Sequence, residues 1–300
     1  MKGYNLEMVT KLTIKYMIEH QSYQGSPATT LVCQNIDDSD VLRSVFLHSA
    51  RYTFKEVHIE YSTLQYLPYD MFKQMPVKSL HLKNSTLVQL FNKPPEFLEA
   101  LDTLHIENSK LLRGVVWKIL EPLTHLRILN IYFNKVKTLG DDFKTYTTKE
   151  LQQITFYGTE TTSIKPGTFV EFTRLSKIAM DNCKLTELTR DIFPVPFNVQ
   201  VLHFNQNKLT AIPDDLFSNI PNLQTVGLKC NQISVIPDTS FEGSLSKLQF
   251  LLLEGNPMIC DCRLAWLIKN KPEAISGKCH FPSKLKGKDI KDVESDYFNC

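Results

Sequence analysis

Residues Val199–Leu209 read VQVLHFNQNKL, and the same pattern returns as LQTVGLKCNQI from Leu223 and LQFLLLEGNPM from Leu248. Working back along the chain, it appears as LSKIAMDNCKL from Leu175, LQQITFYGTET from Leu151 and LRILNIYFNKV from Leu126. Three further copies are LDTLHIENSKL from Leu101, VKSLHLKNSTL from Val77 and FKEVHIEYSTL from Phe54, with start-to-start spacings of 23 to 25 residues. The middle of each unit alternates apolar and polar residues, the period of a short strand with one face buried. In the first stretch Val199, Leu202, Phe204 and Leu209 face inward, while Gln200, His203 and Asn205 face outward. One unit cannot shield its own apolar residues. Stacking the units lets each inward side chain recover about 1.5–3 kcal/mol of burial and leaves a long outward surface free.

The ninth position of the pattern turns the chain off the strand. It holds Ser62, Ser85, Ser109, Asn134, Thr159, Cys183, Asn207, Asn231 and Asn256. A short polar side chain there satisfies backbone groups that would otherwise be buried unpaired. Asparagine is kept mainly toward the C-terminus, which predicts less regular turns in the N-terminal half. A second apolar column, Phe72, Phe143, Phe169, Phe193, Phe217 and Phe241, belongs to the opposite side of the stack; Phe97 is out of step with it, and Leu112–Leu120 with Trp117 predicts a short helix.

The pattern L-x-x-L-x-L-x-x-[N/C/S/T]-x-L at this spacing resembles the leucine-rich repeat. The resemblance implies an α/β solenoid with a curved parallel sheet on the concave side and an irregular, short-helical convex side. Composition agrees: 42% hydrophobic, 22% charged and a net charge of +2 describe an ordinary soluble chain and argue against nucleic acid as a partner. The expected organisation is an N-terminal segment 1–30 that is disordered or wrongly assigned, an N-terminal cap 31–53, nine repeats over 54–258 and a C-terminal cap 256–300.

The C-terminal cap carries NPMICDCRLAWLIKN followed by Cys279 in C-H-F-P and a closing F-N-C at Cys300. Cys260, Cys262, Cys279 and Cys300 allow three pairings by spacing alone, and four thiols could also hold zinc. The stretch resembles the cysteine-rich flanking domain of extracellular leucine-rich repeat proteins. That resemblance implies Cys260–Cys279 and Cys262–Cys300 disulfides and an oxidising compartment. With the Cys33 segment CQNIDDSDVLRSVF, the chain also resembles the secreted leucine-rich repeat proteins of arthropods, including the non-catalytic subunit of the Oplophorus luciferin monooxygenase. The implied function is a secreted, non-enzymatic binding or scaffold protein; the other reading is the truncated ectodomain of a Toll-like or guidance receptor. The first residues, MKGYNLEMVTKLTIKYMIEHQ, have no apolar run long enough for a signal peptide, so the expectation is that the export signal and a disulfide partner for Cys33 are missing from this sequence. No stretch has the apolar length of a membrane span. Cys183 and Cys230 read as structural free thiols.

Site residues follow from the outward columns. Tyr132, Phe133 and Tyr157, with Ile128 and Asn130, place aromatics at the centre of the sheet, the residue types that dominate protein interfaces. His58, His81 and His105 fall on successive strands beside Glu60, Lys83 and Glu107. They offer a metal site or a pH-sensitive contact, but the reading adopted is a polar ladder that can join the partner surface, with no metal. Asn84-Ser85-Thr86 is a glycosylation sequon. Lys278, Lys284, Lys286, Lys288 and Lys291 make the cap loosely basic, a place for a glycosaminoglycan, although a solvated charged face is the simpler account. No nucleophile elbow, zinc-protease, phosphate-loop or dinucleotide motif is present, so no catalytic residue and no cofactor is expected.

Overall fold

A parallel strand forms at the alternating segment of every unit in the computed structural model, which describes residues 30–49, 54–73, 75–269, 272–294 and 297. The expectation for 1–30 therefore lies outside the described residues except at Thr30, which begins a strand. The chain divides into two units, one running to Lys135 with Thr145–Leu151, the other comprising Val136–Lys144 and the chain from Gln152 onward.

In the first unit five strands pair in parallel in chain order: β1 (Thr30–Gln34), β2 (Glu56–Glu60), β3 (Ser79–Lys83), β4 (Thr103–Glu107) and β5 (Ile128–Tyr132). Their register aligns Leu31, Val57, Leu80, Leu104 and Leu129 in one inward column and Cys33, Ile59, Leu82, Ile106 and Ile131 in the next; all are buried. The N-terminal cap thus adds a strand and a helix, α1 (Ser39–Ser49), before the first quoted repeat. Cys33 occupies an inward strand position as a free thiol, burial pushing it up to about 12. It is in register with Ile59 on the next strand and fills the same inward position.

The helix α2 (Asp141–Tyr146) begins in the second unit, which carries six parallel strands. These are β6 (Gln153–Tyr157), β7 (Lys177–Asp181), β8 (Val201–His203), β9 (Thr225–Gly227), β10 (Phe250–Leu252) and β11 (Ala274–Ser276). Ile154, Ile178, Leu202, Val226, Leu251 and Ile275 form its inward column. The last strand lies inside the C-terminal cap, so this cap too extends a sheet and covers its edge. Phe143, Phe169, Phe193, Phe217 and Phe241 are buried behind the strands, and Trp266, just ahead of Leu267 in α3 (Ala265–Lys269), packs 5.7 Å from Phe241. Its indole N–H donates to the Ile236 carbonyl at 3.0 Å. Cys260 and Cys279 are disulfide-bonded; Cys262 is also disulfide-bonded, and Cys300 lies outside the described residues. In the first unit Trp117–Leu120 forms a 3-10 turn, while Phe97 is turned outward and Phe91 and Leu98 fill the core instead.

The turns are more uniform than the sequence suggested. The eighth position is left-handed in every repeat, at Tyr61, Asn84, Asn108, Phe133, Gly158, Asn182, Gln206, Cys230 and Gly255, with φ from +47° to +78°. At six of the nine repeats the ninth residue satisfies the backbone by one of two schemes, whereas Asn134 donates only to the Tyr132 carbonyl and leaves its Oδ1 buried without a partner among the described residues. Asn207, Asn231 and Asn256 donate through Nδ2 to the carbonyls of Met180, Phe204 and Leu228 and accept at Oδ1 from the N–H of Leu185, Leu209 and Ile233. Ser62, Ser85 and Ser109 accept from the N–H of Ile36, Ser62 and Ser85 and donate to the carbonyl two residues back. A hydroxyl makes fewer bonds than an amide, yet it closes the same turn. Cys183 fills this position too, buried with its sulfur 3.1 Å from Thr159 Oγ1.

Candidate partner-binding face

Strand alternation sends positions three, five and seven of each repeat outward, and in the first unit these positions carry the predicted site. His58, His81 and His105 are in register on β2, β3 and β4, and the column continues to Asn130 on β5. The His58 and His81 rings stack with centroids 4.3 Å apart, and His105 follows with its ring tilted by 33° and its centroid 5.2 Å from that of His81. Tyr132 stands one column over, opposite Glu107, but its ring leans back onto His105 at 5.1 Å. Three imidazoles and a phenol therefore form one continuous row of ring contacts. Ile128 opens β5 in the flanking column, opposite Thr103.

Charged groups edge the row. Glu60 lies 3.5 Å from His58 Nδ1 and is held by Gln34 Nε2 at 2.9 Å. Glu107 lies 3.2 Å from His105 Nε2 and 4.0 Å from Lys83. His81, in the middle, has an oxygen of Glu56 within 4.8 Å of a ring nitrogen. Burial, then the charges of His58, His105 and Lys83, lowers it to about 3, so it is neutral at physiological pH.

Phe133 follows Tyr132 at the left-handed eighth position, φ +55°, and that backbone turn leaves its ring 52% exposed rather than tucked into the loop edge. Tyr61 does the same in the first quoted repeat, φ +51° and 57% exposed, and was missed by the sequence reading. The signal was present: the eighth column is otherwise rich in Asn and Gly, residues that tolerate this conformation, and two bulky aromatics there are out of type. Asn84 also holds a left-handed turn, exposed at the rim, with its Oδ1 accepting from Asn108 Nδ2 at 2.7 Å.

Tyr157 belongs to the second unit, where it ends β6 half-buried and opposite Asp181. Asp181 Oδ1 accepts from the Asn205 N–H at 2.7 Å, its other oxygen lies 4.0 Å from His203 Nδ1, and Asn205 Oδ1 accepts from the Lys229 N–H at 2.8 Å. Burial raises the Asp181 carboxyl and lowers the His203 imidazole. Gly227 makes this network possible, because a Cβ there would meet the Asn205 and His203 side chains at 2.9 Å. Among the cap lysines, Lys284 and Lys288 each lie 5.2 Å over the Tyr297 ring, and Lys278 pairs with Asp289 through the backbone in an isolated antiparallel bridge. No described helix is long and apolar enough to cross a membrane.

Comparison with known proteins agrees with the architecture. Residues 197–258 match the leucine rich repeat family model. Over 65 residues the chain is 32% identical to the leucine-rich repeat and immunoglobulin-like domain-containing nogo receptor-interacting protein 1 of Xenopus tropicalis, covering 19% of this chain and 11% of that relative. In fold it is similar to a chain from an octameric complex of Latrophilin 3, Unc5D and FLRT2, where FLRT2 supplies the leucine-rich repeats. The TM-score is 0.64, the identity 20%, and 91% of each chain is covered. Residues 197–258 are thus similar to the leucine rich repeat family, and the parallel strands stacked in register have the α/β solenoid fold of that architecture.

Proposed function

We propose that the chain is an extracellular, non-enzymatic protein-binding module, secreted as a binding or scaffold protein, whose outward strand face takes the partner. The observation that carries this reading is the His58–His81–His105–Tyr132 row of rings, with Phe133 exposed immediately beyond it. Large, rigid, half-exposed aromatics edged by charges are what protein partners bury at low entropic cost. The similarity to leucine-rich repeat proteins named for a receptor interaction or found in a multiprotein complex supports it. The Cys260–Cys279 bridge supports an oxidising compartment. Asn84, exposed in its sequon, is the proposed glycan site.

The test is a biosensor screen of the full chain against a panel of extracellular domains, followed by substitution. Tyr132→Ala combined with Tyr157→Ala is expected to weaken the captured partner by more than about tenfold, each removing an outward aromatic from its own unit. Lys184→Ala, at an exposed position off the strands, should leave affinity unchanged. Undiminished binding by the double variant would move the interface elsewhere on the molecule.

A further inference from the structure

The first unit holds a side-chain constellation that overlaps the proposed partner face and has a chemistry of its own. Glu56 and His58 share the outward face of β2, and His81 stands beside His58 on β3. One oxygen of Glu56 and one ring nitrogen from each histidine lie within 4.8 Å of one another. Glu56 Oε2 is 3.7 Å from His58 Nε2. His58 Nε2 and His81 Nδ1 are buried and have no hydrogen-bond partner. A buried ring nitrogen without a partner costs about 1–3 kcal/mol, and two on neighbouring strands call for an explanation.

The surroundings of His58 indicate which of its nitrogens is available. Glu60 approaches Nδ1 at 3.5 Å and is itself fixed by Gln34, so the N–H belongs on Nδ1 and the lone pair on Nε2, directed away from Glu60. A carboxylate behind a histidine, holding the far nitrogen free, is the outer-shell arrangement of metal-ligating imidazoles. His105 is excluded from the set because its Nε2 is engaged by Glu107.

We propose that Glu56, His58 Nε2 and His81 Nδ1 form a binding site for a divalent late transition ion, with Zn2+ the natural probe. Two imidazoles and one carboxylate are a donor set suited to zinc, nickel or copper rather than to calcium or magnesium. Metal–ligand bonds near 2.0–2.1 Å require ligand atoms ~3.3 Å apart, so the set must draw together and one ring must rotate out of the stack. Glu56, with 42% of its side chain exposed, is free to swing inward. Three protein ligands leave the fourth position of a tetrahedral ion facing outward, open to water or to a donor from another molecule. The site does not depend on the identity of the protein partner.

The experiment is calorimetric titration of the full chain with zinc sulfate in a non-coordinating buffer. Cys230→Ser is the background throughout, because Cys230 is an exposed thiol that could capture zinc by itself. The expected result is one ion per chain. His58→Asn or His81→Asn should each weaken binding by at least about tenfold, while His203→Asn in the second unit leaves it unchanged. Far-UV circular dichroism checks that each variant is folded. Electron paramagnetic resonance of the unsubstituted histidine set loaded with Cu2+ gives a readout without those variants, and coupling to two imidazole nitrogens is expected. Absence of saturable zinc binding, binding indifferent to His81→Asn, or a copper spectrum without two coupled nitrogens would overturn the site.

Discussion

The eighth residue of each repeat decides more than its place in the pattern suggests. A left-handed backbone costs an ordinary L-residue about 1–2 kcal/mol, and Asn and Gly relieve much of that. Phe133 meets the cost in full and gains an exposed ring next to Tyr132. Strain kept at a solvent-facing aromatic is a mark of use by something outside the chain. Phe133→Asn is therefore expected to raise stability by about 1 kcal/mol in urea denaturation while weakening the partner identified by the biosensor screen. Opposite signs in the two measurements are the discriminating result; a substitution that destabilises would show that the ring packs rather than presents itself. At the ninth residue, serine and asparagine differ in how many bonds they make but close the same turn, which is why a change of residue type there did not make the N-terminal turns irregular.

Among the elements, the two end strands carry the largest departure from the sequence reading. β1 pairs with β2 over five residues and β11 pairs with β10 over three, so both ends of the repeat array are covered by strands that the repeat pattern does not include. In hindsight Leu31 and Cys33 keep the inward spacing of Val57 and Ile59, but a cysteine near the N-terminus invites a disulfide reading before a core one. Its burial, 2% exposed in register with Ile59, argues that volume and apolarity are what the site needs. Cys33→Val is accordingly expected to fold and to change stability by less than about 1.5 kcal/mol, as volume-conserving core exchanges do. Failure of that variant to fold, measured by circular dichroism and thermal melting, would restore the sulfur to a bonding role.

For the molecule as a whole, a repeat array grows along one axis and leaves apolar ends that need closing. At the C-terminal end the second unit does this with Trp266 over Phe241, the β11 strand and the Cys260–Cys279 bridge, which spans 19 residues. A loop of that size is worth ~3 kcal/mol in the chain-entropy account of a cross-link. Replacing both cysteines by serine should lower the unfolding free energy by about that amount, read from denaturant midpoints under nonreducing conditions. A loss below ~0.5 kcal/mol would mean that packing of the cap, not its covalent staple, closes the array.

By itself the sequence determined the repeat, its period, the inward and outward columns and the order of the strands, because burial of alternating side chains is a local, periodic demand written into every copy. It also placed the aromatic and histidine columns on the outward face, since register follows from period. What only the tertiary structure decided depends on contacts between copies and on backbone conformation. These include the left-handed eighth residue that turns Phe133 and Tyr61 outward, the leaning of Tyr132 onto His105 across a column, and the orientation of His58 by Glu60. Two side chains from different repeats meet only once the strands have paired, so no pattern within a single copy could have announced them.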